Sequence, residues 1–486
     1  MKTSLNRSMR VATALAALWL SACGGGGDDD PVAQAPAPAP APPVAQGPAP
    51  APAPAPAPSP APATPAAPVA ISSNTTATAN SSLAVTGTNI TVTLPDTATL
   101  AVGNTVRVTG TANSSWNVRP NAGQTINTTG LTTTTEPAWT ASTMPARTWH
   151  WVASNPAGDV LAAANIPGEI YISTDGGTTW TPGAGLPAAQ SWISVDMTPT
   201  ASRMVAVAFT GAMYQSVDRG ATWTRIDQAF NPTGVLEYES VTISDDGQRI
   251  VAAVLNGSIY TSADAGATFT PATAAGAAFT RGWRAVDMSS NGQVVVAAAQ
   301  QTGGLHLSTD GGRTFAPLPV AVGGTAVADG WYRVAISRDG NTIAVAGNTE
   351  FAGAASGLYV SRDRGVTWTR AAPAADYTSI AMSATGSTIA ATMSAPTGQV
   401  IVSTNGGQTF APLATPTGET NWRAVALSGD GLQYVLAAGR FFGAAGQLYT
   451  SLGVLTGRQT DVLDLEYAGN GQFNVRPTST GAFSVR

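Results

Sequence analysis

Between about Trp139 and Ser451 the apolar positions come in short runs, each cut off by Gly, Asp, Ser or Thr. One unit recurs. An aromatic opens a strand that ends near Ser, a Gly turn follows, then an Ala/Val-rich strand, then Gly-x-Leu/Ile-Tyr. Runs this short, rich in small and β-branched residues and bounded by turn formers, predict buried β-strands rather than helices. Outside this stretch the pattern changes to strict alternation. Ile90-Thr-Val-Thr-Leu-Pro95 and Thr105-Val-Arg-Val-Thr109 read as half-buried strands in a Thr/Asn/Gly-rich segment.

Each unit but the last closes on one phrase, Ser-x-Asp-x-Gly-x-Thr-aromatic. It first reads Ser173-Thr-Asp175-Gly-Gly177-Thr-Thr179-Trp180, and it returns at 216–223, 262–269, 308–315 and 361–368. The sixth copy, 403–410, has Asn405 in place of Asp. From Asp175 through Asp218, Asp264, Asp310 and Asp363 to Asn405 the steps are 43, 46, 46, 53 and 42 residues. A strand repeat of that length predicts propeller blades. Locally the phrase predicts a tight hairpin. The carboxylate accepts N–H groups two or more residues on, the Gly supplies φ > 0, and the ring packs back over the turn. One carboxylate per turn cannot cage a metal ion, so no metal is expected.

The opening aromatics are Trp149, Trp192, Tyr238, Trp283, Trp331, Tyr377 and Trp422, one more than the boxes. The seventh unit loses its box at Ser451-Leu-Gly453. Its missing outer strand is echoed upstream, where Trp139-Thr140 matches Trp180-Thr181, Trp223-Thr224 and Trp368-Thr369. The expectation is an all-β chain with a seven-bladed β-propeller over 136–454, closed by residues near 137–142. Such closure pairs two strand edges that are otherwise open.

The boxes resemble the Asp-box (BNR) repeat family of sialidases, sortilin-like receptors, photosystem II assembly factors and many secreted propellers. The resemblance covers about 139–451. It implies a scaffold and leaves the function to whatever sits on it.

The ends carry other signals. Residues 1–22 read as a signal peptide, with Lys2, Arg7 and Arg10 before an apolar core at 11–20. Leu20-Ser21-Ala22-Cys23 resembles a bacterial lipobox, and Cys23 is the single cysteine, so lipidation there is expected. Gly24 after the Cys implies an outer-membrane lipoprotein, on its periplasmic or cell-surface side. Residues 23–69 hold an Ala-Pro repeat, which favours polyproline II at about 3.1 Å per residue and reads as a stalk. Segments 70–135 and 455–486 are expected to form one small discontinuous β domain. Trp116-Asn-Val-Arg-Pro120 is echoed by Phe473-Asn-Val-Arg-Pro477. The Leu-Pro strand and the Tyr467-x-Gly-Asn-Gly471 hairpin are similar to halves of small β modules in phage tail fibres and surface adhesins.

Charge narrows the partners. Without the signal peptide the chain has 20 basic and 28 acidic residues and no Lys. That argues against nucleic acid, which needs clustered Lys/Arg, and against electrostatic membrane binding. The lipid is then the membrane link. No cofactor is expected.

Ligands are expected where the innermost strands begin, opposite the boxes. The residue after each opening aromatic samples that face: His150, Ile193, Glu239, Arg284, Tyr332, Thr378 and Arg423. Longer loops near Phe351 and near Arg440, Phe441 and Phe442 reach the same side. The candidate binding face is therefore Arg284, Tyr332, Arg333, Phe351, Trp422, Arg423, Arg440, Phe441 and Phe442. The competing reading packs the aromatics between blades and leaves the arginines solvated. Against the sialidase pattern of three arginines, a Tyr–Glu nucleophile pair and an Asp acid/base, the region before the first box, Asn165-Ile-Pro-Gly168, lacks the expected Arg. Tyr238 and Glu239 are neighbours on one strand and point to opposite faces. Two histidines suit neither zinc nor a Ser-His-Asp set. The expectation is a non-catalytic binding or scaffold protein for a protein or glycan partner. A sialidase-like hydrolase or lyase is the alternative, and an assembly factor resembling the photosystem II helpers is a further one.

Overall fold

Each box folds around its serine. In the third copy Ser262 Oγ donates to Asp264 Oδ1 (2.7 Å) and accepts from Gly266 N (2.9 Å). Asp264 takes the Thr268 amide (2.9 Å) and the Thr268 hydroxyl (2.5 Å). Asn405 keeps the acceptor half of this pattern, and its amide donates to Thr409 Oγ1 (2.8 Å). Two successive residues take the left-handed conformation in every box, as at Ala265 (φ 59°) and Gly266 (φ 86°). The Gly has a second reason. A Cβ at Gly365 would lie 2.6 Å from Leu318 Cδ1, and one at Gly220 would lie 2.6 Å from Ile172 Cγ1. Both neighbours belong to the preceding blade, so the box is also a contact between blades.

The structure is a computed structural model. It describes residues 67–486 apart from 122–123, 129–130, 132, 136, 275–276, 301–303, 328–329, 349–356, 395–397, 440–444, 470 and 486. Cys23, the signal peptide and most of the Ala-Pro segment lie outside the described residues.

The chain forms a seven-bladed β-propeller with a small β domain built from the flanking segments. Blade one is typical: Trp149–Ser154, Leu161–Asn165, Ile170–Ser173 and Thr181–Pro182 pair in that order, all antiparallel. In blade three the second and third strands run on as one, Ile250–Ser262, which also pairs with the start of blade four's inner strand, Thr280–Met288. Blade seven takes Trp422–Leu427, Tyr434–Gly439 and Ala445–Ser451 from the C-terminal side. Its fourth strand is Trp139–Ala141, with Thr140 opposite Thr450.

Second strands such as Val295–Ala299 and Ile343–Ala346 are wholly buried, because each blade is covered on both faces by its neighbours. The opening aromatics pack in this core. Trp149, Trp192, Trp331 and Trp422 stand edge-on to Tyr171, Tyr214, Tyr359 and Tyr449 of the third strands.

On the box side the first turns of successive blades are joined by backbone bonds. Asp245 N donates to Ser290 O, Ser290 N to Arg338 O, Arg338 N to Ala384 O, Ala384 N to Gly429 O, and Gly429 N to Pro156 O. Pro156 and Pro199 occupy this position in blades one and two and have no N–H to continue the series.

The flanking segments make two six-stranded sheets. In one, Val69–Ile71, Ser81–Val85 and Thr105–Gly110 are followed by Val462–Gly469, Gln472–Val475 and Thr125–Asn127. In the other, Thr75–Thr76, Ile90–Thr93 and Ser115–Arg119 are followed by Leu455–Arg458, Phe483–Val485 and Thr133–Thr135. The C-terminal strands thus lie between earlier and later strands of the N-terminal segment. Between the sheets Val92, Val106, Trp116, Leu463 and Phe473 are fully buried.

Candidate binding site in the central channel

The site is built by a repeated backbone device. In six blades the register of the inner strand slips just after the opening aromatic, between Trp149 and Trp151, Trp192 and Ser194, Tyr238 and Ser240, Trp283 and Ala285, Tyr377 and Ser379, and Trp422 and Ala424. The extra residue of each bulge is His150, Ile193, Glu239, Arg284, Thr378 or Arg423. A bulge lets two consecutive side chains escape strict alternation. The aromatic stays in the blade core, and at His150, Glu239, Arg284 and Arg423 the residue after it turns to the channel, whereas Ile193 packs with Val205, Val207 and Tyr238. Alternation then resumes and returns the strand to the core.

These side chains meet across the ring. Arg284 Nη1 pairs with Glu239 Oε1 (2.6 Å), and its Nε donates to Gln300 Oε1 (2.7 Å). Arg333 Nε donates to Thr378 O (2.8 Å), and its Nη2 lies 3.3 Å from Tyr332 Oη. The Arg333 guanidinium stands 4.1 Å from the Tyr332 ring centre and 5.4 Å from that of Trp151. Arg423 approaches His150 Nδ1 at 3.2 Å and Tyr332 Oη at 3.5 Å. Contacts from blade five to blade seven are possible only in the channel.

Arg284 and Arg333 are not solvated. The Arg284 side chain is 13% exposed and its partner Glu239 6%, while Arg333 is fully buried. The electrostatics follow from this. Burial holds His150 well below its ordinary pKa, and Arg423 and Arg333 push the same way, so the imidazole is neutral. Burial raises Glu239 while Arg284, Arg333 and Arg423 pull it back. Burial also works to raise Tyr332, but Arg333 and Arg423 outweigh it, and the phenol ends below its usual value. Three guanidiniums around one buried phenol suit an incoming carboxylate, which Arg binds in bidentate fashion.

Of the expected binding face, Arg284, Tyr332, Arg333 and Arg423 come together here. Trp422 does not take part. It is buried in blade seven against Tyr449, as its place in the series of opening aromatics requires. Phe351, Arg440, Phe441 and Phe442 lie outside the described residues. Glu239, His150, Trp151 and Gln300 complete the cluster. The first two were visible as residues following an opening aromatic.

Below Arg333 the channel continues as two adjoining cavities of about 160 and 170 Å³ that share Asp196, Thr242 and Asp287. Thr242 Oγ1 lies 3.0 Å from Asp196 Oδ2 and 3.4 Å from Asp287 Oδ1. Each carboxylate also accepts an amide from a following blade, Ile243 N (2.9 Å) and Ile336 N (2.9 Å). A charge inside an otherwise apolar inner strand, as in Val195-Asp196-Met197 and Val286-Asp287-Met288, was the available signal.

The family model for the BNR/Asp-box repeat matches residues 171–182, the third strand and box of blade one. The chain is a β-propeller that carries the BNR/Asp-box repeat. No curated protein matches its sequence. Among solved structures, this Asp-box propeller is similar to YCF48 bound to D1 peptide, at 15% identity over 66% of this chain and 99% of that one, with a TM-score of 0.48. It is similar to the GH74 enzyme of Niastella koreensis, at 15% identity over 71% and 55%, with a TM-score of 0.49. It also resembles U3-55K, at 10% identity over 64% and 98%, with a TM-score of 0.50. At these identities the likeness is one of fold.

Proposed function

We propose that this Asp-box propeller is an extracytoplasmic binding protein, held to the outer membrane by lipid on Cys23 and carried on the Ala-Pro stalk of residues 23–69. Residues 136–454 form the binding propeller, and 70–135 with 455–486 form the domain at its base. It captures a protein or glycan partner by a carboxylate presented to the open end of the channel. The observation that carries this reading is the convergence of Arg284, Arg333 and Arg423 on Tyr332, each aimed inward from a different blade or strand position. Polar groups fixed by a rigid ring are preorganised, which lowers the ordering cost of binding.

The test uses the full chain. Pull-down from envelope extracts, alongside a glycan array, identifies the partner. Capture is expected to be competed by a peptide with a free C-terminal carboxylate and not by its amide. Arg423→Gln should weaken capture at least tenfold, in line with loss of a charge-assisted pair. Capture that survives Arg423→Gln and ignores the carboxylate rules the reading out. Fatty-acid labelling of the wild type and its loss in Cys23→Ser test the anchor.

A second reading, a sialidase-like hydrolase, is favoured by Tyr332, whose lowered pKa among arginines suits a nucleophile. Turnover of a 4-methylumbelliferyl sialoside that disappears in Tyr332→Phe would establish it.

A further inference from the structure

A second cleft lies on the other side of the propeller, away from the arginines. The strands Thr125–Asn127 and Thr133–Thr135 end the two sheets of the flanking domain. Thr133–Thr135 pairs on one side, parallel to Phe483–Val485. Among the described residues no strand lies on its other side. An unpaired edge presents a row of N–H and C=O groups and is a template for another strand. Here the edge borders a cleft of about 530 Å³ whose far wall is the box-side surface of blades five to seven.

The lining is specific in kind. Leu432 and Val485 give the cleft an apolar floor, and Ser and Thr hydroxyls, among them Thr133 and Thr135, surround it. Arg362 is the one charged side chain among the lining residues. Its Nε is held by Gly406 O at 2.7 Å, which fixes the guanidinium at the rim. The wall also contains Asn405, the single box residue of six that is an amide and not a carboxylate. An aspartate there would set a negative charge facing the cleft. The amide leaves the lining with positive charge only.

We propose that this cleft binds an extended, acidic segment of a partner polypeptide, which adds as a strand to the open edge of Thr133–Thr135. At about 3.3 Å per residue the three-residue edge offers roughly 10 Å, enough to register about three residues of a longer extended segment by main-chain bonds. Apolar floor and hydroxyl rim match the two faces of an alternating strand. Arg362 selects a carboxylate at the rim. This site is independent of the channel, and its failure leaves the channel reading intact.

The experiment titrates the full chain with the probe acetyl-Thr-Val-Thr-Val-Asp-amide. Methyl NMR signals of Leu432 and Val485 report occupancy, and hydrogen exchange of residues 133–135 reports strand addition. The expected result is saturable shifts with slowed exchange. Both should be lost when alternate amides of the probe are N-methylated. Asn405→Asp should weaken the probe about tenfold, the effect of one nearby like charge of about 1.4 kcal/mol. It should leave the melting temperature unchanged, because five boxes already use Asp. Arg362→Gln should weaken it similarly. No shifts at millimolar probe, equal binding of the N-methylated probe, or shifts with maltotriose alone would each overturn the proposal, the last in favour of a glycan site.

Discussion

Asp287 sits in an environment that opposes its charge. Burial pushes its carboxyl up to about 7, and the neighbouring Asp196 adds to the rise. Three donors oppose this, the amides of Ile336 and Met288 and the hydroxyl of Thr242. The facing groups also include the Arg338–Asp245 pair in the same cavity. A folded-state pKa above the unfolded value means that the folded chain holds the proton more tightly. The contribution to stability is fully present below the unfolded value near pH 4 and is lost as pH rises through about 7. Asp287→Asn keeps the acceptor oxygen and removes the titration. Melting curves from pH 5 to pH 8 should therefore show the variant gaining on the wild type as pH rises. A constant difference across that range would mean that Asp287 does not titrate there. Asn405 shows that an amide can hold an Asp position in this fold, accepting the Thr409 amide at 3.0 Å as the aspartates do.

At the level of elements, what could be read from the chain was what is local. The box is closed by bonds within seven residues, so its residues announce it wherever they occur. Outer strands are equally legible, because Pro182, Pro271, Pro317 and Pro412 sit where an edge strand's N–H faces solvent. The channel cluster was legible only in part. The residue after each opening aromatic was marked by position, yet the bulge that turns it inward is a property of the pairing with the next strand. The meeting of Arg423 with Tyr332 depends on how far blade seven is rotated from blade five, which no local pattern encodes. Trp422 shows the same limit in reverse, since an aromatic beside Arg423 looks like a ligand platform until the bulge separates their faces. The box glycine combines both kinds of information. Its φ is local, but its contact is with the blade before. Gly365→Ala meets both costs, φ of 86° and Leu318 at 2.6 Å, whereas Gly324→Ala meets a φ of 80° with nothing within 4 Å. Backbone strain of about 1–2 kcal/mol is expected for both, with a further 1–3 kcal/mol from overpacking at Gly365. Urea unfolding of the two variants gives the comparison, and equal losses would show that the inter-blade contact is soft.

For the whole molecule the decisive feature is that the ring is shut by a strand from the other end of the chain. Trp139–Ala141 lies against Ala445–Ser451, and Trp139 is further held by its indole N–H on Ala414 O (2.7 Å) and by its ring edge-on to Tyr434. Every other outer strand is tethered by the box that precedes it. Losing one ladder bond there loosens a rim and leaves the ring closed. Losing it in blade seven breaks the pairing that joins the two ends of the ring. It also loosens the two sheets in which strands of 455–485 lie between strands of 69–135, because the closing strand is the link between them. The same substitution placed in two equivalent strands separates these cases. Thr140 and Thr224 both come one residue before the position that proline occupies in other blades, so the N–H of each faces its partner strand. Thr224→Pro should cost about what one ladder bond is worth, roughly 1 kcal/mol. Thr140→Pro should cost several kcal/mol, lower the melting temperature well beyond Thr224→Pro, and raise hydrogen exchange in Trp422–Leu427 and Leu455–Arg458 together. If the two variants melt alike, the ring holds without its closing strand, and the seven blades are secured by their box contacts and by the backbone bonds between their first turns.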